Sequence, residues 1–430
     1  MALVLCAALG CSAGSRDPKT HRVLLVGIDG ATLRVAAPLL QEGRLPNLAR
    51  IASAGVSGPL KSHQPLLSPA VRTTIATGKS PALHGILNWV TLPEPGHESR
   101  LYQSTDRKVH ALWNIASDAG LAVGVVNWLV TYPVEPIRGV MISDYALPGG
   151  VKGKELMQSL FGRTKVDKSQ GRQQLAKGPI TWPSDWAPRV TEFAKIDAPL
   201  TDIANPFAEG PLPKWAAREL LSKYFKVDET VVRVALQVEA ELHPSLLMVL
   251  MQGIDRTSHS LWGTIEPAEL YPESLRANSA EREGGARALR RYYEYADALI
   301  GKLLERYTED DLVIVVSDHG FEASALITWL TGGHTSPAAE QGVFFARGPG
   351  IQRGADASGV RVVDVTPTIL AWWGLPVGAD MEGRPGAFLD AGEVTTRPTY
   401  DDTPVDRLAA EPSRAADEVM QNLRALGYVQ

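Results

Sequence analysis

The chain has 430 residues, 44% of them apolar and 21% charged, a balance that excludes a disordered or fibrous protein and supports a large buried core. Its length exceeds the roughly 250–300 residues at which one core stops growing, so the expected arrangement is one large domain carrying an insertion. A net charge of −5 gives no basic field for a phosphate backbone and argues against a nucleic-acid polymer as partner.

In chain order, Met1 to Gly10 is a short apolar run with small residues, too short for a membrane span, that ends at Cys11-Ser12-Ala13-Gly14-Ser15. It reads as the end of a secretion signal. Ala8-Leu9-Gly10-Cys11 resembles a bacterial lipoprotein cleavage box, although that box usually has Leu three residues before the cysteine and no Lys or Arg precedes this apolar run. The two cysteines of the chain, Cys6 and Cys11, both lie here; processing would leave Cys11 alone, as a lipid attachment point, and no disulfide. The expectation is an exported protein of the cell envelope or periplasm, lipid-anchored to a membrane. Plain export and a cytosolic chain with a frayed end are the alternatives.

After a polar linker, His21 to Asp29 is a continuous apolar run, the pattern of a strand buried on both faces of a parallel sheet. Ser245 to Asp255 and Asp311 to Gly320 have the same form, and the three runs end in Asp29, Asp255 and Asp318. In open α/β sheets the carboxyl ends of the strands form the binding edge, so these carboxylates are expected to share one crevice. Helical patterns over 39–54, 108–119 and 286–308, with further strands at 124–128 and 342–346, predict an α/β fold: a doubly wound, mostly parallel sheet with helices on both faces. The expected division is a signal and linker at 1–20, a catalytic domain from 21–144 and 244–394, an inserted cap at 145–243, and a linker with a short helix at 395–430. The cap segment interleaves Lys, Gln, Pro and Trp without strand-helix alternation; Trp182 and Trp186 either line a substrate pocket or fill a small core of their own.

Ser68 begins the stretch Ser68-Pro69-Ala70-Val71-Arg72, where a loop meets a helix. Orphan amides and the positive end of the helix dipole favour an anion there, so Ser68 is either a helix cap or a nucleophile. Asp255 and His259 are four residues apart, a spacing that one helical turn closes. Asp318-His319 adds an adjacent carboxylate and imidazole, and Gly332-Gly333-His334 a third imidazole in a glycine-rich loop. Each alone is an ordinary capping or loop residue. Together they make a mixed oxygen and nitrogen ligand set that suits zinc first, with manganese or iron as alternatives.

Asp29-Gly30, the Ser68 to Gly85 stretch, Asp255 with His259, Asp318-His319-Gly320 and His334, in that order, resemble the alkaline phosphatase superfamily, and within it the type I phosphodiesterase and nucleotide pyrophosphatase branch. The resemblance implies two divalent metal ions, one held by Asp255, His259 and His334 and the other by Asp29, Asp318 and His319 with Ser68 bridging toward it. It also implies a small phosphate ester or phosphodiester substrate and a phosphoseryl intermediate at Ser68. That branch usually carries Thr where Ser68 stands, and places a phosphate-contacting Asn just after the His-Gly pair; Asn88 is the nearest candidate here, offset by one position. Arg72 and Lys79 are the other candidates to meet the substrate anion, unless both lie solvated on the outer face of the helix, and His84-Gly85 is expected to shape a turn. The Ser68 to Arg72 run also resembles the Cys/Ser-x-Pro/Ala-x-Arg signature at which sulfatases form formylglycine, which makes a calcium-dependent sulfatase the runner-up. Phospho-group transfer to an alcohol and a non-catalytic exported binding protein complete the alternatives.

Overall fold

The computed structural model describes residues 17–91, 100–147, 178–325 and 330–405. The expected signal, the attachment point Cys11 and the C-terminal helix lie outside the described residues. Its core is an eight-stranded sheet in the order β2-β10-β7-β1-β6-β3-β4-β5. In chain order the strands are β1 (Val23–Ile28), β2 (Val56–Lys61), β3 (Val123–Val126), β4 (Gly139–Ile142), β5 (Thr181–Trp182), β6 (Leu246–Met251), β7 (Leu312–Val316) and β10 (Gln341–Arg347); β8 (Glu322–Ala323) and β9 (Gly332–Gly333) form a separate hairpin. The central strands β7, β1, β6, β3 and β4 are parallel; β10 runs antiparallel to β7 and β2, and β5 antiparallel to β4.

The apolar runs become strands because both sheet faces are covered. Successive β1 side chains alternate between two layers. Leu24, Val26 and Ile28 pack among residues of α1 (Leu33–Gln41), α2 (Pro46–Ala54), α7 (Arg218–Leu242), α8 (Gly253–Leu261) and α9 (Ser279–Leu304). Val23 and Leu25 face α3 (Ser68–Thr77), α5 (Leu112–Asp118) and α10 (Val365–Trp373). Short α4 (Pro81–His84) follows α3, and α6 (Trp186–Phe193) precedes α7. No helix among the described residues is long and apolar enough to cross a membrane.

Three details differ from the sequence pattern. The single helix expected over 39–54 is two, because Gly43 takes a left-handed φ of +71° and Pro46 starts a new helix. The helix expected at 286–308 begins earlier, at Ser279, where Asn278 and Glu281 form a reciprocal capping box. Strand β2 carries no apolar alternation; it is an edge strand containing Pro59, paired with Val343 of β10. Within the 145–243 segment, Trp186 is buried in the same apolar layer as α7, and the 25-residue α7 lies on the sheet beside β3 and β6.

Candidate active site

Strands β7, β1 and β6 are immediate neighbours, so the Asp-ended runs are adjacent in space. Gly27 pairs with Val316, which sets Asp29 and Asp318, each two residues on, at the same height. Asp255 lies in the first turn of α8, directly after β6, and His259 one turn further along the same helix. The β8–β9 hairpin brings His334, the residue after β9, back beside Phe321. Helix α3 adds Ser68 at its first position. The cap there is the backbone of Leu67 and no side chain bonds to the helix amides; the Ser68 hydroxyl instead lies 3.4 Å from Asp29 Oδ1 and 3.3 Å from His319 Nε2. The capping role considered for Ser68 is therefore absent.

The three imidazoles share one orientation rule. His259 Nδ1 is 2.9 Å from the Gly332 carbonyl, His319 Nδ1 3.0 Å from that of Gly320, and His334 Nδ1 2.8 Å from that of Leu66. A carbonyl only accepts, so each Nδ1 carries the proton and each Nε2 offers a lone pair. Those lone pairs face carboxylates: His259 Nε2 is 3.5 Å and His334 Nε2 3.7 Å from Asp255 Oδ1, and His319 Nε2 is 3.5 Å from both Asp29 Oδ1 and Asp318 Oδ2. The phenyl ring of Phe321 lies against all three, with centroids 5.0–6.0 Å away. Burial and the neighbouring His319 and His259 hold His334 well below the usual imidazole range, in the neutral form that can donate a lone pair.

Two groups of potential ligand atoms lie within 4.8 Å of one another: Asp29, Asp318 and His319, and Asp255, His319 and His334. His319 belongs to both, and His259 flanks the second through Asp255. Buried Asp255 Oδ1 and Asp318 Oδ2 have no hydrogen-bond partner among the described residues. Orphaned carboxylate oxygens facing imidazole lone pairs are costly unless a cation satisfies them, so the residues fit a divalent metal in each group.

The electrostatics of the first group are set by Arg72. Its side chain is fully buried, donates to Asp318 Oδ1 at 2.8 Å and lies 3.9 Å from Asp29 Oδ1. Gly27 makes room for it, since a Cβ there would stand 2.7 Å from Arg72 Nη1. Burial alone would raise Asp318, but the charges of Arg72 and His319 hold its carboxyl below the usual range. Burial, and then the charge of Asp318, push Asp29 well upward.

The second group is steadied from a distance. Asp228, 1% exposed on α7, accepts from the Gln252 amide at 3.1 Å and the Gly253 amide at 3.0 Å, and from the Tyr292 hydroxyl at 3.1 Å. It thereby caps the start of α8, which lacks a side-chain cap of its own. Gly253 must be glycine-sized, because a Cβ would fall 1.7 Å from Tyr292 Oη.

The remaining candidates sit elsewhere. Lys79 is buried rather than solvated, and its ammonium is held by Asp380 at 2.6 Å and Asp401 at 2.5 Å. Asn88 Oδ1 accepts from the Trp89 amide at 2.7 Å. His84 Nδ1 accepts from the Ile86 amide, closing the turn after α4, and burial drops its pKa to about 3. Sequence reasoning missed Phe321 and Asp228. The first directly follows the Asp318-His319-Gly320 motif; the only trace of the second is an acid set among the buried valines of α7.

No curated protein matches the chain significantly. Among solved structures, a 2-O GAG sulfatase is similar at 15% identity and a TM-score of 0.50, covering 85% of this chain and 73% of that one. Murine ectonucleotide pyrophosphatase / phosphodiesterase 5 is similar at 13% identity and a TM-score of 0.50, covering 86% of this chain and 98% of that one. At such identities both likenesses concern the fold, an alkaline phosphatase-like α/β architecture. The sequence model of type I phosphodiesterase / nucleotide pyrophosphatase matches residues 23–329, well over half the chain. On that match the chain belongs to the type I phosphodiesterase / nucleotide pyrophosphatase family of the alkaline phosphatase superfamily.

Proposed function

We propose that the protein is a metal-dependent phosphoric ester hydrolase of the phosphodiesterase type, acting through Ser68. Family membership supplies the reaction class, phosphoester hydrolysis. The observation that carries the rest is the Ser68 hydroxyl, free of any capping bond, within 3.4 Å of Asp29 and His319 at a helix start. Asp29, Asp318 and His319 would hold one cation and Asp255, His259 and His334 the other, with zinc the best match to carboxylate and imidazole donors and manganese or iron next. Such a pair of cations, when bound, stabilises the attacking and leaving oxygens of an in-line displacement and lowers the pKa of a bound hydroxyl or water.

The chain's own part begins with binding. The first turn of α3 presents its amides and positive dipole end to the substrate phosphate. Ser68 Oγ forms a bond to phosphorus and loses its proton as the ester P–O bond breaks; the leaving alkoxide departs as the alcohol. Water then attacks the phosphoseryl group, the Oγ–P bond breaks and Ser68 regains a proton, releasing phosphate or a monoester. Arg72 stays behind the carboxylates, holding Asp318 ionised and oriented.

Ser68→Ala is the direct test: phosphodiester hydrolysis should vanish while metal content stays. Equal activity would remove Ser68 from the mechanism. One bound calcium, with aryl sulfate cleaved and aryl phosphodiester untouched, would instead assign the Ser-x-Ala-x-Arg run to formylglycine chemistry. We also propose export and lipid attachment at Cys11, supported by the Ala8 to Cys11 box; a Cys11→Ala chain should leave the membrane fraction of the producing cell.

A further inference from the structure

A cavity of about 330 Å³ lies at the opposite edge of the sheet from Ser68, where β7 begins and β10 ends; Arg347, the last residue of β10, pairs with Val313 near the start of β7. Three guanidiniums line it: Arg50 from α2, Arg347, and Arg353 from the following loop. Among the described residues none of the three meets a carboxylate within 4.0 Å. Of the three only Arg347 is buried, and the other buried arginines among the described residues are paired, Arg72 with Asp318 and Arg107 with Glu135.

The imbalance is reinforced by burial. Arg347 is 8% exposed and gives one N–H to the Thr308 carbonyl at 2.7 Å; burial and the like charge of Arg50 depress its pKa. The hydroxyl of Tyr307, another lining residue, is buried without a hydrogen-bond partner among the described residues. Glu309 lines the cavity, and Asp311 and Asp297 lie near enough to act on Arg347 and Arg50, but Asp311 is already paired with Arg22 and Asp297 with Asn47 and the Leu48 amide, so neither pairs a guanidinium of the cavity.

The backbone segments that carry the arginines are also held together. Gly55, just after α2, packs so closely on the end of β10 that a Cβ would stand 2.0 Å from the Ala346 carbonyl, and its own carbonyl accepts from the Gly354 amide at 2.9 Å. Helix, strand and loop are thereby tied together.

We propose that this cavity binds a small organic phosphate or sulfate ester, its oxyanion on Arg50, Arg347 and Arg353 and its apolar body against Leu304, Pro349 and Ile351. Guanidinium forks match tetrahedral oxyanions in geometry and charge. The volume falls at the low end of small-molecule sites, more than a bare oxyanion needs. No residue of the cavity is a candidate metal ligand, so the site stands apart from the catalytic reading.

Titration of the full, metal-loaded chain with phenylphosphonate, which has no ester bond to cleave, tests the proposal. Replacing the exposed pair, Arg50→Ala with Arg353→Ala, should remove one bound equivalent per chain, and Arg347→Met alone should weaken that equivalent at least about tenfold. Glu309→Gln should tighten it, roughly twofold to fivefold, by removing an exposed like charge from the cavity wall. Unchanged stoichiometry in the double variant overturns the site. Inorganic phosphate binding there as tightly as phenylphosphonate overturns the organic ester and leaves a free oxyanion as the ligand. Neither result depends on Ser68, so a failure here and a failure of the hydrolase reading are told apart.

Discussion

The Asp29, Asp318 and His319 half of the site and the Asp255, His259 and His334 half balance their charge in different ways. In the first, all three side chains are at most 2% exposed, all three follow the ends of β1 and β7, and a buried guanidinium already compensates the carboxylates. In the second, the Asp255 side chain is 15% exposed, the ligands come from a helix and a hairpin, and the steadying group is a further carboxylate, Asp228, acting on backbone amides. The first half is thus a fixed electrostatic platform beside the Ser68 hydroxyl, the nucleophile we propose. The second is open to an incoming group and depends on how α8 is aimed.

The largest expected effect is at the platform's hydroxyl. Ser68→Ala should lower aryl phosphodiester turnover by at least about a thousandfold with metal stoichiometry unchanged, a combination that separates lost chemistry from lost structure. Next, Arg72→Met leaves two buried carboxylates unbalanced. It should cost the metal-free protein about 3–5 kcal/mol in denaturant unfolding, while added zinc should stabilise the variant more than the unaltered chain because a repelling cation is gone. If both forms gain equally from zinc, the contrast between the halves fails.

Asp228→Asn probes the other half. It keeps the shape of the clamp but weakens its charge-assisted bonds, and cation affinity at Asp255 should fall about tenfold while the first half is unaffected. The pH behaviour has a definite sign. Burial raises the Asp228 pKa from 3.8 to about 6, so between those values the folded state holds more protons than the unfolded one. Stability therefore falls as pH rises across that window, and Asp228→Asn should flatten the fall in pH-dependent urea midpoints. The smallest effect is expected for Tyr292→Phe, which removes one of three donors to Asp228 and should cost about 1 kcal/mol.

The platform was the legible half. A strand buried on both faces must be a continuous apolar run, so Val23–Ile28 and Leu312–Val316 announce themselves, and the carboxylate within two residues of each end falls on the binding edge. His259 and His334 were readable through helical spacing and glycine context. The partners that make these residues work were not, because each is a long-range contact: Arg72 meets Asp318 across 246 positions, and Lys79 reaches Asp380 and Asp401 across 301 and 322. Asp228 looks like one more charge on a helix until α7 is laid beside α8. Local pattern shows which face a residue occupies, and packing decides what it meets there.

The Nδ1 bonds of the three histidines have a further consequence for evolution and engineering. All three acceptors are main-chain carbonyls, of Leu66, Gly320 and Gly332. No point substitution deletes a carbonyl, so the tautomers are insulated from drift in the surrounding side chains. A mutational scan of this site would register the imidazoles and pass over what aims them; only exchanging or shifting whole loops would expose it.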